Sequence, residues 1–144
     1  MDRETPLSPA RATAIRDSFA RQGLMGTLEA RIETLAPGRV VLSMPIAPRV
    51  GQQHGFAHAG ASFALGDSAA GYSALSVMPE GSEVLTVEMK INLVAPAAGA
   101  RLVAVGEVVK PGRRLVIVRA TVMAEDRDGL RRDVALLQGT MIPA

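Results

Sequence analysis

The chain of 144 residues contains no cysteine, which removes disulfide frameworks, thiolate metal sites and cysteine nucleophiles together. A reducing compartment, the cytoplasm, is the corresponding expectation. Tryptophan is absent, and three Phe and one Tyr complete the aromatic inventory. Nucleic-acid binding by base stacking therefore has little to work with. Lysine is scarce: Lys90 and Lys110 stand alone, the arginines are scattered and the net charge is only +2. No broad positive field awaits a polyanion. The polar start Met1–Ser8 lacks the apolar run of a signal peptide. His54 and His58 lie four apart with no Cys, Glu or third His nearby, so neither a metal nor another cofactor is expected. No Gly-Lys-Ser/Thr follows the glycines, which excludes a phosphate loop for ATP.

What is present suits one domain over residues 1–144, with 48% hydrophobic residues and 21% charged ones. A helical extension is expected over 1–26 and the core over 27–144. Ser8-Pro9 is an N-cap and first-turn pair, and Ile15 and Phe19 recur four apart before Gly23 closes the segment. Strand-like runs at Leu28–Thr34 and Arg39–Pro45 flank the turn dipeptide Pro37-Gly38. After a loop over Val50–Ala57, an apolar run rich in Ala, Ser, Leu and Gly extends from Ala59 to Met78 and is stopped by Pro79 and Gly81. Asp67 at its midpoint makes a membrane span costly, so a buried helix is the expectation. The period then switches to two: Leu85, Val87, Met89, Ile91 and Leu93 alternate with Thr86, Glu88, Lys90 and Asn92. Three strands follow, at Arg101–Val109, Arg114–Glu125 and Leu130–Met141, separated by Pro111-Gly112 and Asp128-Gly129. Strands segregated around one helix indicate an α+β fold, with a curled antiparallel sheet wrapped around the central helix. Such a sheet covers the helix on one side only, so dimerisation through sheet edges or helix faces is expected.

Asp67 is the only charged side chain between His58 and Glu80. A carboxylate in apolar surroundings is expensive unless it is hydrogen-bonded, protonated or facing a cleft, and a cleft makes it a candidate for chemistry. Upstream, His58-Ala59-Gly60 marks the point where loop becomes helix, leaving backbone N–H groups at the positive end of the helix dipole. Acyl hydrolysis needs both parts: donors for a developing oxyanion, and a carboxylate that attacks or activates water. Lys110, Arg113 and Arg114 form the one local basic cluster, suited either to a phosphate or to a solvated hairpin.

The pattern Gln52, Gly55, His58-Ala59-Gly60 followed by Phe63-Ala64-Leu65-Gly66-Asp67-Ser68-Ala69 resembles the His-Gly-Gly and helix-Asp signature of PaaI-type acyl-CoA thioesterases. The likeness continues through Thr86–Leu93 with Pro96 and through Lys110–Leu115, covering roughly Gly51 to the C-terminus. It implies the hotdog fold, hydrolysis of an acyl-CoA without metal or cofactor, and a homodimer or dimer of dimers. It also implies roles. Asp67 is nucleophile or general base, the Ala59 N–H polarises the thioester carbonyl, Gln52 orients the reacting group, Thr86 holds the attacking water, and His58 fixes the loop. Gly60 lies beside the substrate, while Lys110, Arg113 and Arg114 meet the nucleotide end of CoA. In such enzymes the Asp and the loop facing it come from different protomers. One departure is Ala59, where the family has Gly. A non-catalytic acyl-CoA-binding module and an enoyl-thioester hydratase or dehydratase are the alternatives.

Overall fold

The computed structural model describes residues 5–144; Met1–Glu4, part of the polar start, lie outside the described residues. Helix α1 (Pro9–Ala20) begins as its sequence dictates, with the Ser8 hydroxyl accepting from the Arg11 N–H at 3.2 Å and Pro9 in the first turn. Ile15 is fully buried, and Phe19 meets Tyr72 edge-on with ring centroids 5.9 Å apart. Gly23 does not end this segment; it opens a second short helix, α2 (Gly23–Thr27). That helix closes through paired bonds from the Ala30 N–H to the Met25 carbonyl and from the Glu29 N–H to the Gly26 carbonyl. Glu29 takes the left-handed conformation at φ 55°, where such a closure usually places glycine. The first strand therefore starts at Arg31, not Leu28, because the Leu28 N–H still bonds back to Leu24.

Six strands follow or flank the long helix: β1 (Arg31–Ala36), β2 (Arg39–Pro45), β3 (Val84–Leu93), β4 (Arg101–Pro111), β5 (Val116–Glu125) and β6 (Arg131–Pro143). They form one antiparallel sheet in the order β1-β2-β4-β5-β6-β3. The β1–β2 hairpin and the β4-β5-β6 meander are as the turn dipeptides predict, and β3 adds outside β6 as a sheet edge. Helix α3 (Ala59–Leu75) lies across the sheet's inner face, the hotdog arrangement. It stops three residues short of Met78, before Pro79.

The helix approaches the sheet closely at one strand position. A methyl group at Gly106 of β4 would sit 2.2 Å from the Ala69 carbonyl carbon and 2.4 Å from the Ala70 nitrogen, both backbone atoms of α3. Backbone cannot step aside as a side-chain tip does, so Gly106→Ala must push the helix off the sheet. We expect a loss of about 3 kcal/mol and a melting temperature roughly 6–12 °C lower, read by thermal denaturation.

Burial along α3 divides it into two parts. From Ala69 to Ser76 every residue is buried. Before that, Ala61, Ser62, Leu65 and Gly66 are buried, whereas Ala59, Phe63 and Asp67, four apart, form a half-buried stripe. The sheet covers one side of this half and leaves the stripe uncovered. The apolar β3 edge is uncovered too: Leu85 is 57% exposed, Val87 56% and Leu93 57%.

Candidate active site

Asp67 is half-buried on the uncovered stripe of α3, and Thr86 donates its hydroxyl to the Asp67 Oδ1 at 2.8 Å. The contact depends on an irregularity that periodicity could not foresee. Strict alternation puts Thr86 on the same side of β3 as Glu88 and Lys90, away from the helix. In the structure the register of β3 against β6 shifts between Thr86 and Glu88, so Thr86 opposes Met141 while Met89 opposes Gly139. Thr86 thereby joins Met89 and Ile91 on the inner face. Burial pushes the Asp67 carboxyl above the ordinary aspartate range, and the Thr86 hydroxyl partly opposes that shift by bonding to the ionised form.

Around this pair lies a cavity of about 240 Å³ that also takes in Ser18, Gln22, Ser68, Tyr72 and Glu83. The contributions of α1 through Ser18, of Gln22 at the start of α2 and of Tyr72 were missed by sequence reasoning. Nothing local in Ser18 or Gln22 says that the first helix folds back over the middle of the third.

The second group of expected residues gathers elsewhere. His58 is the N-cap of α3, and its Nδ1 accepts from the Gly60 N–H at 2.8 Å. Gly60 therefore does not offer the free donor expected of a helix start, since an imidazole already fills it. The Ala61 N–H is likewise satisfied, by the His58 carbonyl. The Ala59 N–H is the one left without an acceptor in this turn among the described residues. Ala59 is not among the residues with positive φ, so its methyl group leaves the donor's backbone unstrained. Gln52 Oε1 accepts from the backbone N–H groups of His54 and Phe56, the latter at 3.4 Å. With its carbonyl oxygen folding the loop, the Gln52 amide NH2 is the end that remains to donate.

Gln52, His58 and Ala59 line a cavity of about 550 Å³ with Phe56, Leu93 and Val134. Among the described residues it shares no lining residue with the Asp67 cavity. Asp67 lies eight residues beyond Ala59 on the helix, an axial distance of about 12 Å. One chain thus brings Asp67 to Thr86, and Gln52 to Ala59, without bringing the two pairs together.

Lys110, Arg113 and Arg114 are exposed at the β4–β5 hairpin, where β5 begins only at Val116, so the two arginines belong to the loop and not to the strand. None lines either cavity, and none pairs with a carboxylate among the described residues. Among those residues, too, no three His, Asp or Glu side chains gather to hold a metal. No helix there is long and apolar enough to cross a membrane.

A family profile described as the thioesterase superfamily matches residues 54–130. A comparison with curated proteins gave no match. Among solved structures, a thioesterase family protein from Silicibacter pomeroyi is 50% identical over 92% of this chain and 97% of its own, with a TM-score of 0.89. A Staphylococcus aureus thioesterase is 25% identical over 85% of this chain and 98% of its own, TM-score 0.76. The Escherichia coli PaaI protein of the phenylacetic acid degradation operon shares the fold at 19% identity, TM-score 0.83, over 96% of both chains. With more than half of its length matched by that profile, and close identity to a family protein along nearly all of it, this chain belongs to the thioesterase superfamily.

Proposed function

We propose that the protein hydrolyses an acyl-CoA thioester to the free acid and CoA, at a site composed of Asp67 and Thr86 from one protomer and Gln52 and Ala59 from a second. The observation that carries this reading is the separation of the two half-sites. A thioester carbonyl needs its donors about 3 Å from the oxygen and its attacking group equally close to the carbon. About 12 Å along one helix cannot supply both.

A two-fold axis through the exposed β3 edge supplies what one chain lacks. Antiparallel pairing of two β3 strands sets the Thr86 end of one against the Leu93 end of the other. Leu93 borders the cavity of Gln52 and Ala59, and Thr86 that of Asp67. The same pairing covers Leu85, Val87 and Leu93. A relative lends support: the S. aureus protein has been crystallised with a glutamine replaced by alanine and with a glutamate fifteen positions further along replaced by alanine. Gln52 and Asp67 are likewise fifteen apart.

In the reaction, the Ala59 N–H and the Gln52 amide donate to the carbonyl oxygen as it gains charge. Asp67 either attacks the carbonyl carbon or takes the proton of an attacking water. In the first route a C–O bond to Asp67 forms, the C–S bond breaks and the CoA thiolate leaves; water then hydrolyses the mixed anhydride to the free acid and Asp67. In the second the water oxygen forms the C–O bond, the C–S bond breaks, and the proton taken by Asp67 passes to the leaving CoA thiolate. His58 acts through position, holding the helix start by its bond to Gly60. Lys110, Arg113 and Arg114 remain proposed contacts of the CoA phosphates.

Asp67 must be ionised to act in either role, and its pKa is raised. The rate should therefore rise with pH through a midpoint above that of an ordinary aspartate, and be lost as pH falls below it. Thr86→Val removes the hydroxyl that opposes the shift, so the acid limb of the kcat/KM profile should move to higher pH, with a rate reduced about tenfold on the plateau. An unmoved limb would separate Thr86 from the ionisation of Asp67.

A further inference from the structure

We propose that the far end of the acyl group is read by a polar clamp of Ser18, Gln22 and Tyr72, making the N-terminal helix part of the substrate site and selecting a short acyl group that ends in a neutral hydrogen-bonding function such as a hydroxyl. This inference rests on the thioesterase reading and deepens it.

The cavity on the α1 side of Asp67 is where such a group must lie. Its volume of about 240 Å³ holds roughly eight water-sized groups, enough for a short chain and not a long one. Tyr72 follows Asp67 by five residues on α3, roughly 7.5 Å along the axis, and lines the same space together with Ser18 and Gln22. A site built for a plain hydrocarbon tail would place apolar side chains there. Instead the buried Tyr72 hydroxyl accepts from Gln22 Nε2 at 2.9 Å and shares a proton with the Ser18 hydroxyl at 3.1 Å. Two hydroxyl protons serve that pair and only one is used between them, whichever group donates. The second hydroxyl proton is left to give, as are the other Gln22 N–H and its carbonyl oxygen. Neither Ser18 nor Gln22 makes a further side-chain bond among the described residues. Both line the cavity, and α1 is held over it by the Arg11 guanidinium on the Met78 carbonyl at 2.6 Å.

The sign of the ligand follows from its surroundings. Glu83 lines the same cavity as Asp67, and no cation lines it among the described residues. A carboxylated acyl end would meet two like charges, whereas a hydroxyl meets a donor and an acceptor. A polar subsite also penalises the analogue that leaves its groups unpaired.

The test compares hexanoyl-, heptanoyl-, 6-hydroxyhexanoyl- and adipoyl-CoA by thiol release, with the full chain and its Ser18→Ala/Gln22→Leu variant. Wild type should prefer 6-hydroxyhexanoyl-CoA to heptanoyl-CoA by about tenfold in kcat/KM and disfavour adipoyl-CoA, and the variant should bring the first ratio close to one. Tyr72→Phe, which keeps the ring packed on Phe19, should reduce the same ratio. Calorimetric binding of heptanoyl- and 6-hydroxyhexanoyl-CoA to Asp67→Asn reads the subsite without turnover. Hydrolysis with no preference for the hydroxyl, or a preference that survives the variants, overturns the clamp while leaving the thioesterase reading intact. Absence of thiol release, with tighter binding of the hydroxylated compound to Asp67→Asn, overturns the hydrolase and keeps the clamp.

Discussion

Asp67→Asn should lower kcat for acyl-CoA hydrolysis at least ~10³-fold while the protein stays folded, because the change removes the attacking or proton-accepting oxygen and almost nothing else. The side chain keeps its shape, and the Thr86 hydroxyl can still donate to an amide oxygen at the position of Oδ1. Stability should move the other way. The Asp67 pKa is raised by burial, so the ionised form opposes folding at neutral pH and the protonated form does not. The neutral amide should therefore melt at or above the wild-type temperature at pH 7, and the difference should shrink as pH falls through the raised pKa. Thiol release under saturating acyl-CoA, paired with melts at several pH values, reads both effects. Equal rates for the two proteins would remove Asp67 from the chemistry, and thiol release from neither would leave a binding module or a hydratase as the reading.

Mixing two inactive chains should restore activity, and this is the second large effect. Gln52→Ala removes the proposed side-chain donor to the carbonyl oxygen and should cost on the order of 10²-fold, the usual effect of losing one oxyanion donor. Each variant alone has two damaged sites per dimer. A dimer holding one Asp67→Asn chain and one Gln52→Ala chain has one site with both changes and one with neither, provided the half-sites combine across the two-fold. Random association makes half of the dimers mixed, so co-expressed chains should recover roughly a quarter of wild-type activity. A site contained within one chain would recover nothing, which makes the experiment a direct measure of where the partners of Asp67 reside. It also tests the β3 edge, since a charged residue placed at Val87 should weaken the pairing and the recovery together.

Much of the site was visible in residue types and spacing. A single carboxylate in an apolar helix must have a reason to be there, and a His-Ala-Gly step at the helix start advertises backbone donors. Both follow from solvation and helix ends, which are local matters. Thr86 entered as a candidate through the family pattern, and its bond to Asp67 runs against its own periodicity. The register shift in β3 arises from pairing with β6, and a strand read by itself alternates without interruption. The free donor at Gly60 was misjudged for a similar reason. Whether a helix-start N–H is open depends on the rotamer of the preceding side chain, and His58 folds back onto the helix start to cap it. The start of β1 shifted because Glu29 accepts a left-handed conformation that its residue type does not advertise.

Ser18 and Gln22 show the limit most plainly. Their segment reads as an ordinary amphipathic helix, and nothing within it specifies that Arg11 will reach Met78, sixty-seven residues away, and set α1 over the Asp67 cavity. The sequence by itself determined the element types, the turns and the one charge in the long helix, because periodicity, turn chemistry and the cost of burying a carboxylate act within a few residues. Only the tertiary structure decided that Thr86 faces Asp67, that Gln52 and Ala59 sit too far away to join them within one chain, and that α1 walls the cavity. Those outcomes are set by sheet register and by helix docking, where residues distant in sequence compete for the same space.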